Sequence, residues 1–307
     1  MDRPPFLSNP FLVLQSRYLV LGTYVIVSGV VGFGYAFLGQ AGLLPWRWTD
    51  PIAMPVQSIV IWTVLVLVIV SMSRDYDLNL HQVFGRERPR FSILYGLLLV
   101  ASLLLFSMGS FSVLLYVLSL SFPDYAAKIL ETDLMPGGGN SSYPQLYNAL
   151  MMCLLLVYAP LVEELVFRGI LLQRWAMKWG LRWGVVTSSL LFGLLHFNNP
   201  VGLTLFGLVM GLLYVRTRSL WVPVLCHCLN NLAALGIDWL SKTTTPVDNP
   251  VTVEAIQQSW WVGLVLVLVA LPLLWQFIRR SWPQPLDEIP YLLNEPKLAE
   301  KEKTPVG

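Results

Sequence analysis

The sequence contains few charged residues. Only 12% of its 307 residues are Asp, Glu, Lys or Arg, and the mean hydropathy is +0.62. A soluble domain usually has about twice that charged fraction. The formal net charge of +2 is too small to indicate a nucleic-acid partner. We therefore expect a polytopic membrane protein whose main partner is the lipid bilayer, with no nucleic-acid partner.

Cysteine is also scarce. The three cysteines, Cys153, Cys226 and Cys228, fall in apolar segments and suggest neither a disulfide framework nor a CxxC metal site. The N-terminus has no small-residue cleavage site after an apolar core, so we expect no removable signal peptide. The first apolar run, 18–38, is long enough to span a membrane.

Long apolar runs are the main feature of the sequence. They predict an all-α fold of about eight transmembrane helices. The predicted spans are 18–38, 52–72, 91–121, 146–177, 183–198, 201–216, 219–240 and 260–279. The third and fourth exceed the roughly 20 residues that a span needs. The fifth and sixth are short, which suggests a thinned or re-entrant region.

The basic residues predict the orientation. With the N-terminus inside, 17 of the 20 Lys and Arg residues fall in inner segments, and only Arg47, Lys128 and Lys242 fall outside. This bias predicts that both termini are inside. The membrane would be the cell (inner) membrane in a bacterium or that of the endoplasmic reticulum in a eukaryote.

The chain is expected to divide into four parts. They are three N-terminal spans with an outer loop (1–145), a core carrying the intramembrane polar residues (146–241), an outer loop with the last span (242–282), and a disordered cytoplasmic tail (283–307).

Two adjacent glutamates, Glu163 and Glu164, interrupt an apolar segment. An ionised group at membrane depth costs several kcal/mol, so a membrane helix retains one mainly for function. Arg168 is four residues from Glu164, on the same helical face, and can neutralise it. Glu163 points about 100° away around the helix. Pro160 removes a helix hydrogen bond just before the pair and predicts a kink there.

Two further pairs have the same spacing of four: Phe192 with His196, and His227 with Asn231. If Gly180 is the turn between the fourth and fifth spans, Glu163 and His196 lie at nearly equal depth, roughly 25 Å from the turn. The three helices are thus predicted to converge on one polar cavity. A lone intramembrane histidine would more simply serve helix packing.

These three motifs, Glu163-Glu164-x-x-x-Arg168, Phe192-x-x-x-His196 and His227-x-x-x-Asn231, together resemble the CAAX-protease and bacteriocin-processing (CPBP, or Abi) family of intramembrane endopeptidases. The resemblance covers residues 146–241. It implies glutamate-dependent hydrolysis of a peptide bond in a membrane-associated substrate, which would be a peptide or a lipidated protein such as a prenylated CAAX protein.

The chemistry of the candidate site residues and the family resemblance together suggest a role for each residue. Glu163 is the candidate general base, with Glu164 held ionised by Arg168. His196 would help to polarise the water, and His227 and Asn231 would donate to the oxyanion. Phe192 is expected to shape the substrate cavity. No cofactor is assigned.

Three alternatives remain open at this point. Glu163, His196 and His227 could instead hold zinc as a His₂Glu set. The same fold could serve as a non-catalytic membrane scaffold or bacteriocin-immunity factor. The buried ionisable groups could also form the proton relay of a transporter, although paired broken helices are not evident.

Overall fold

The computed structural model describes residues 9–15, 24–47, 49–85, 91–130, 140–244 and 252–295, which form helices and loops without a strand. A short 3₁₀ turn, Pro10–Leu12, comes first. The α-helices are α1 (Tyr24–Gln40), α2 (Ala53–Asp75), α3 (Leu80–Phe84), α4 (Ile93–Ser121), α5 (Pro123–Leu130), α6 (Pro144–Cys153), α7 (Ala159–Glu164), α8 (Gln173–Trp179), α9 (Leu181–Leu195), α10 (Pro200–Thr217), α11 (Trp221–Thr244), α12 (Val253–Ser281) and α13 (Pro290–Leu293). The all-α prediction is confirmed.

Five helices in the described residues are long and apolar enough to cross a membrane. They are 53–75, 93–121, 144–179, 200–217 and 253–281. Large apolar side chains face outward on these helices, as expected of a lipid-facing surface in an integral membrane protein. The remaining predicted spans also fall on helices, but α1 and α9 are shorter and α11 carries several polar residues. The number of eight spans and the orientation of the termini therefore stay predictions. Residues 18–23 of the first predicted span lie outside the described part of the chain.

The fourth predicted span lies on one continuous helix, 144–179, in which the hydrogen bonding becomes π-helical in two places. Leu154–Tyr158 and Leu165–Leu172 are π-helical, and they bracket α7, which carries the glutamate pair. We call them the first and second π-segments. Single-turn π-bulges occur often at functional sites. The predicted kink at Pro160 thus corresponds to a change in hydrogen-bond register next to the glutamates.

Helix α9 is short. Its 15 residues rise about 22 Å, less than the roughly 30 Å of a bilayer core. A four-residue connection, His196–Asn199, joins it to α10. Asn199 caps α10 at Gly202 N and donates through Nδ2 to the oxygens of Ser107 on α4. The apex of this hairpin is therefore fixed against α4.

Glycines permit a close contact between α4 and α12. A Cβ built on Gly263 would lie 2.8 Å from the carbonyl oxygen of Gly109. Neither position tolerates a side chain without a shift of backbone. Small residues that let two backbones approach are typical of packing in membranes, where apolar surface gains little from meeting other apolar surface.

At one end of the bundle, Asp50 ties the start of α2 to the loop before α6. Its Oδ1 accepts from Ile52 N at 3.0 Å and from Ser141 Oγ at 2.7 Å, and its Oδ2 accepts from Ser142 N at 2.8 Å. The hydrogen bonds from Ser142, Ile52 and Ser141 lower the pKa of the Asp50 carboxyl below its ordinary value. The charged form of Asp50 therefore favours the folded state.

Asp50→Asn is expected to lower the thermal midpoint at pH 7, because the amide cannot accept all three bonds. The stabilisation by Asp50 is fully present above the unfolded pKa, about 4, and is lost as pH falls toward the depressed folded value. The difference between wild type and variant should therefore narrow on acidification below about pH 4. Scanning fluorimetry in detergent measures this. Asp75→Asn, at the exposed end of α2, is the control, and a constant or widening gap for Asp50→Asn would contradict the role.

The opposite end is closed by the C-terminal residues, which were predicted to be a disordered tail from residue 283. Over 283–295 that prediction is wrong. Ile289 and Tyr291 are buried, and the ring of Tyr291 packs edge-on against Phe11 at 5.2 Å. These side chains, together with the buried Pro283 and Pro290, dock the stretch against the bundle. Residues 296–307 lie outside the described part.

Candidate active site

The glutamate pair sits on α7, and its two members differ in exposure. The Glu164 side chain is 0% exposed, whereas that of Glu163 is 19% exposed. Adjacent positions on a helix point about 100° apart, so one turns into the bundle and the other toward a more open space. Glu163 is thus the member that can meet water or substrate.

Arg168 neutralises the buried glutamate, as its spacing predicts. Its Nη1 lies 3.0 Å from Glu164 Oε1, and its Nη2 donates to the Gly207 carbonyl on α10 at 3.1 Å. The Arg168 side chain is 1% exposed. Glu164 Oε2 is buried and accepts no hydrogen bond from the described residues. Among the described residues, the hydrogen bonds to the Glu164 carboxylate therefore all go to Oε1.

His227, on α11, joins the same carboxylate. Its Nδ1 lies 2.9 Å from Glu164 Oε1, and its Nε2 lies 3.9 Å from Glu163 Oε2. Because a carboxylate accepts, Nδ1 carries the proton and donates it to Glu164. Nε2 then faces Glu163 across a gap too long for a direct hydrogen bond. Sequence spacing paired His227 with Asn231, but the structure groups it with both glutamates.

Phe192 lies at the centre of the site. Its ring centroid is 4.7 Å from the Arg168 guanidinium carbon, 4.6 Å from the ring of His196 and 6.1 Å from the ring of His227. The side chain is fully buried. A cation over an aromatic face is stabilised most when both are shielded from water. Phe192 therefore packs on the charge-balancing arginine and contacts both histidines.

His196 ends α9 and is less tightly integrated. Its Nδ1 contacts the Phe192 carbonyl at 2.7 Å, and its side chain is half-buried. In the described part of the chain, no hydrogen bond or ion pair joins it to Glu163. His196 therefore adjoins the site through Phe192, and its predicted match in depth to Glu163 stays a prediction.

Asn231 contacts the first π-segment. Its Nδ2 donates to the Leu155 carbonyl at 2.9 Å. In an α-helix that carbonyl would accept from Ala159 N–H, which donates to Leu154 instead. In π-helical register its donor would be residue 160, a proline without an N–H. Asn231 therefore pairs with a carbonyl that the helix itself leaves free, and one amide hydrogen remains for another acceptor.

The described residues contain no group of three His, Cys, Asp or Glu side chains placed to hold a metal ion. Glu163 and His227 approach each other, but His196 contacts the ring and the carbonyl of Phe192 instead. The donor set Glu163, His196 and His227 therefore does not fit a three-ligand zinc site.

Comparison with known proteins agrees with the resemblance read from the motifs. Residues 145–233 match the family described as type II CAAX prenyl endopeptidase Rce1-like. A Bacillus subtilis (strain 168) protein named "Putative membrane peptidase YdiL" is 30% identical over 84 residues, which are 27% of this chain and 34% of that protein. The chain thus matches about a third of the length of this curated relative. No solved structure matches significantly.

Proposed function

We propose that this integral membrane protein, whose residues 145–233 are similar to the Rce1-like endopeptidases, hydrolyses a peptide bond in a membrane-associated protein or peptide. One observation carries the proposal: a partly exposed carboxylate, Glu163, faces a histidine that a fully buried Glu164–Arg168 pair holds in place. Because Glu163 is partly exposed beside this buried cluster, it can meet water or substrate.

Glu163 takes a proton from a water that contacts its Oε2 and His227 Nε2 from the open side of the 3.9 Å gap between them. The resulting hydroxide attacks the carbonyl carbon, and the carbonyl becomes an oxyanion. Asn231 donates to that oxyanion through its remaining amide hydrogen. His227 also donates to it through Nε2 when both of its ring nitrogens carry a proton. Glu163 then passes its proton to the leaving nitrogen as the C–N bond breaks, which gives a carboxylic acid and an amine. A proton exchanged between these products leaves a carboxylate and an ammonium group.

The remaining residues support this step. Glu164 orients His227 through Nδ1, and Arg168 keeps Glu164 ionised. Phe192 packs on Arg168 and borders the space beside His196. His196, half-buried at the end of α9 and beside Phe192, contacts substrate or water. No step depends on a metal ion.

The substrate class is tested with purified protein in proteoliposomes. A quenched fluorescent peptide carrying a C-terminal prenylated CAAX sequence is compared with the same peptide lacking the lipid. The lipidated peptide should be cleaved at least tenfold faster, because it partitions into the bilayer where the site lies. Equal cleavage of both peptides would contradict membrane-associated recognition. Cleavage of neither above the level of Glu163→Gln protein would contradict this substrate class.

A further inference from the structure

A buried glutamine links the C-terminal residues to the helix that carries the glutamate pair. Gln173 begins α8 and is 0% exposed. Its Nε2 donates to the Gly169 carbonyl in the second π-segment at 2.8 Å. Its Oε1 accepts from the backbone N–H of Tyr291 at 2.8 Å. One side chain therefore bridges two parts of the molecule separated by 118 positions in the chain.

The Gly169 carbonyl does not receive its α-helical hydrogen bond. Its α-helical donor would be the N–H of Gln173, which donates to the Ile170 carbonyl instead. The Gln173 side chain donates to the Gly169 carbonyl. Both π-segments that flank the glutamates are thus held by a carboxamide, Asn231 on one side and Gln173 on the other.

The residues that meet Gln173 are themselves firmly docked. We call 289–294 the C-terminal strap. Within it, the Tyr291 hydroxyl accepts from Asn79 N at 3.2 Å, and Asn294 Nδ2 donates to the carbonyls of Gln82 and Arg218 at 2.9 and 2.8 Å. The strap therefore joins α3, the α10–α11 turn and, through Gln173, the helix of the candidate active site.

We infer that Gln173 is a positioning residue for Glu163 and Glu164, and that the C-terminal strap controls catalysis through it. This inference rests on the proposed peptidase function. Gln173 lies nine residues after Glu164, about 14 Å along the helix, and cannot touch substrate bound at Glu163. It acts by fixing the register of the second π-segment, which sets the rotation of α7 and the gap between Glu163 and His227. Misplacement by about 1 Å can cost roughly 100-fold in rate.

The first test replaces Gln173 with methionine, which keeps length and burial but makes neither hydrogen bond. kcat should fall at least tenfold while KM stays within twofold, since substrate contacts are unchanged. Gln57→Met is the control, because Gln57 is a half-buried glutamine near the start of α2, at the end of the bundle opposite the strap. Its kcat should stay within twofold. An unchanged kcat in folded Gln173→Met protein, or equal losses in both variants, would overturn the inference.

A pair of truncations tests the strap without altering Gln173. Ending the chain after Pro285 removes the strap, whereas ending it after Glu295 retains it. Only the first should reduce kcat at least tenfold. Full kcat in the shorter chain would refute control by the strap, even if Gln173→Met failed to fold.

Hydrogen exchange separates this inference from the proposed function. Amides of 159–172 should exchange at least tenfold faster in Gln173→Met and in the chain ending at Pro285 than in wild type and the two controls. If wild type cleaves no peptide but this pattern appears, the peptidase proposal fails and the coupling stands. If 159–172 exchanges equally in all five proteins, the coupling is refuted whatever the activity.

Discussion

Glu163→Gln is expected to lower turnover by about 10²–10⁴-fold, the usual contribution of a general base. Gln has nearly the same shape as Glu but cannot take a proton from water. KM should change little, because the substitution leaves the cavity volume unchanged. Folding should also be preserved, since Glu163 is 19% exposed and makes no contact shorter than 3.9 Å to His227. Steady-state kinetics on purified protein, with melting curves alongside, measure both.

Glu254→Gln provides the control, because Glu254 is an exposed glutamate at the start of α12. It should retain wild-type turnover. Glu163→Gln protein that is folded and keeps more than a tenth of wild-type turnover would show that the base is another group. A loss of turnover accompanied by a lower melting temperature would instead indicate a structural role for Glu163.

Arg168→Met is expected to reduce the free energy of unfolding by about 3–5 kcal/mol, the usual cost of breaking a buried ion pair from one side. The substitution removes the 3.0 Å contact to Glu164 Oε1 and the bond to the Gly207 carbonyl. Glu164, at 0% exposure, is then left with His227 alone. Reversible unfolding by titration with a denaturing detergent measures the loss.

Adding Glu164→Gln to Arg168→Met should restore most of the lost stability, because it removes the uncompensated charge. The double variant should nevertheless remain inactive, since His227 loses its charged partner. Arg174→Met, on the same helix and only half-buried, should cost less than about 1 kcal/mol. A similar cost at Arg174 and Arg168, or no recovery in the double variant, would contradict the account of a charge-balanced pair.

Local spacing was enough to predict the contacts within a helix. Glu164 and Arg168 are four residues apart and form the expected ion pair at 3.0 Å. The turn at Gly180, with φ at +87°, also falls where the sequence placed it, because glycine adopts that backbone conformation without strain. These features depend only on residues that are close together in the chain, so they can be predicted from the sequence.

Contacts between helices were harder to predict. His227 and Glu164 are 63 residues apart, and no periodicity relates them. The depth argument for His196 assumed a straight α-helix from Glu163 to Gly180. The second π-segment changes the register within that stretch, and α9 ends at Leu195, so His196 lies at a hairpin apex. Pro160 indicated an irregularity but not its π-helical form.

The C-terminal residues were misjudged because composition averages over a stretch. The tail 283–307 as a whole is rich in charged residues and prolines, which is typical of disorder, but 283–295 contains more apolar than polar residues. Its docking depends on Ile289 and Tyr291, which enter the core, and on two hydrogen bonds of Tyr291. The backbone N–H of Tyr291 donates to Gln173, and its hydroxyl accepts from Asn79 N–H. The composition of the whole tail did not distinguish this docked segment.

The central claim is that a peptide bond is hydrolysed at Glu163. Quantitative mass spectrometry of membranes from cells that carry either wild-type protein or Glu163→Gln tests it most directly, with both proteins at equal abundance. The account predicts at least one membrane-associated precursor that accumulates in the variant and is shortened in wild type at a single site. Identical membrane peptide profiles, in cells where loss of the protein has a phenotype that Glu163→Gln fully rescues, would contradict it.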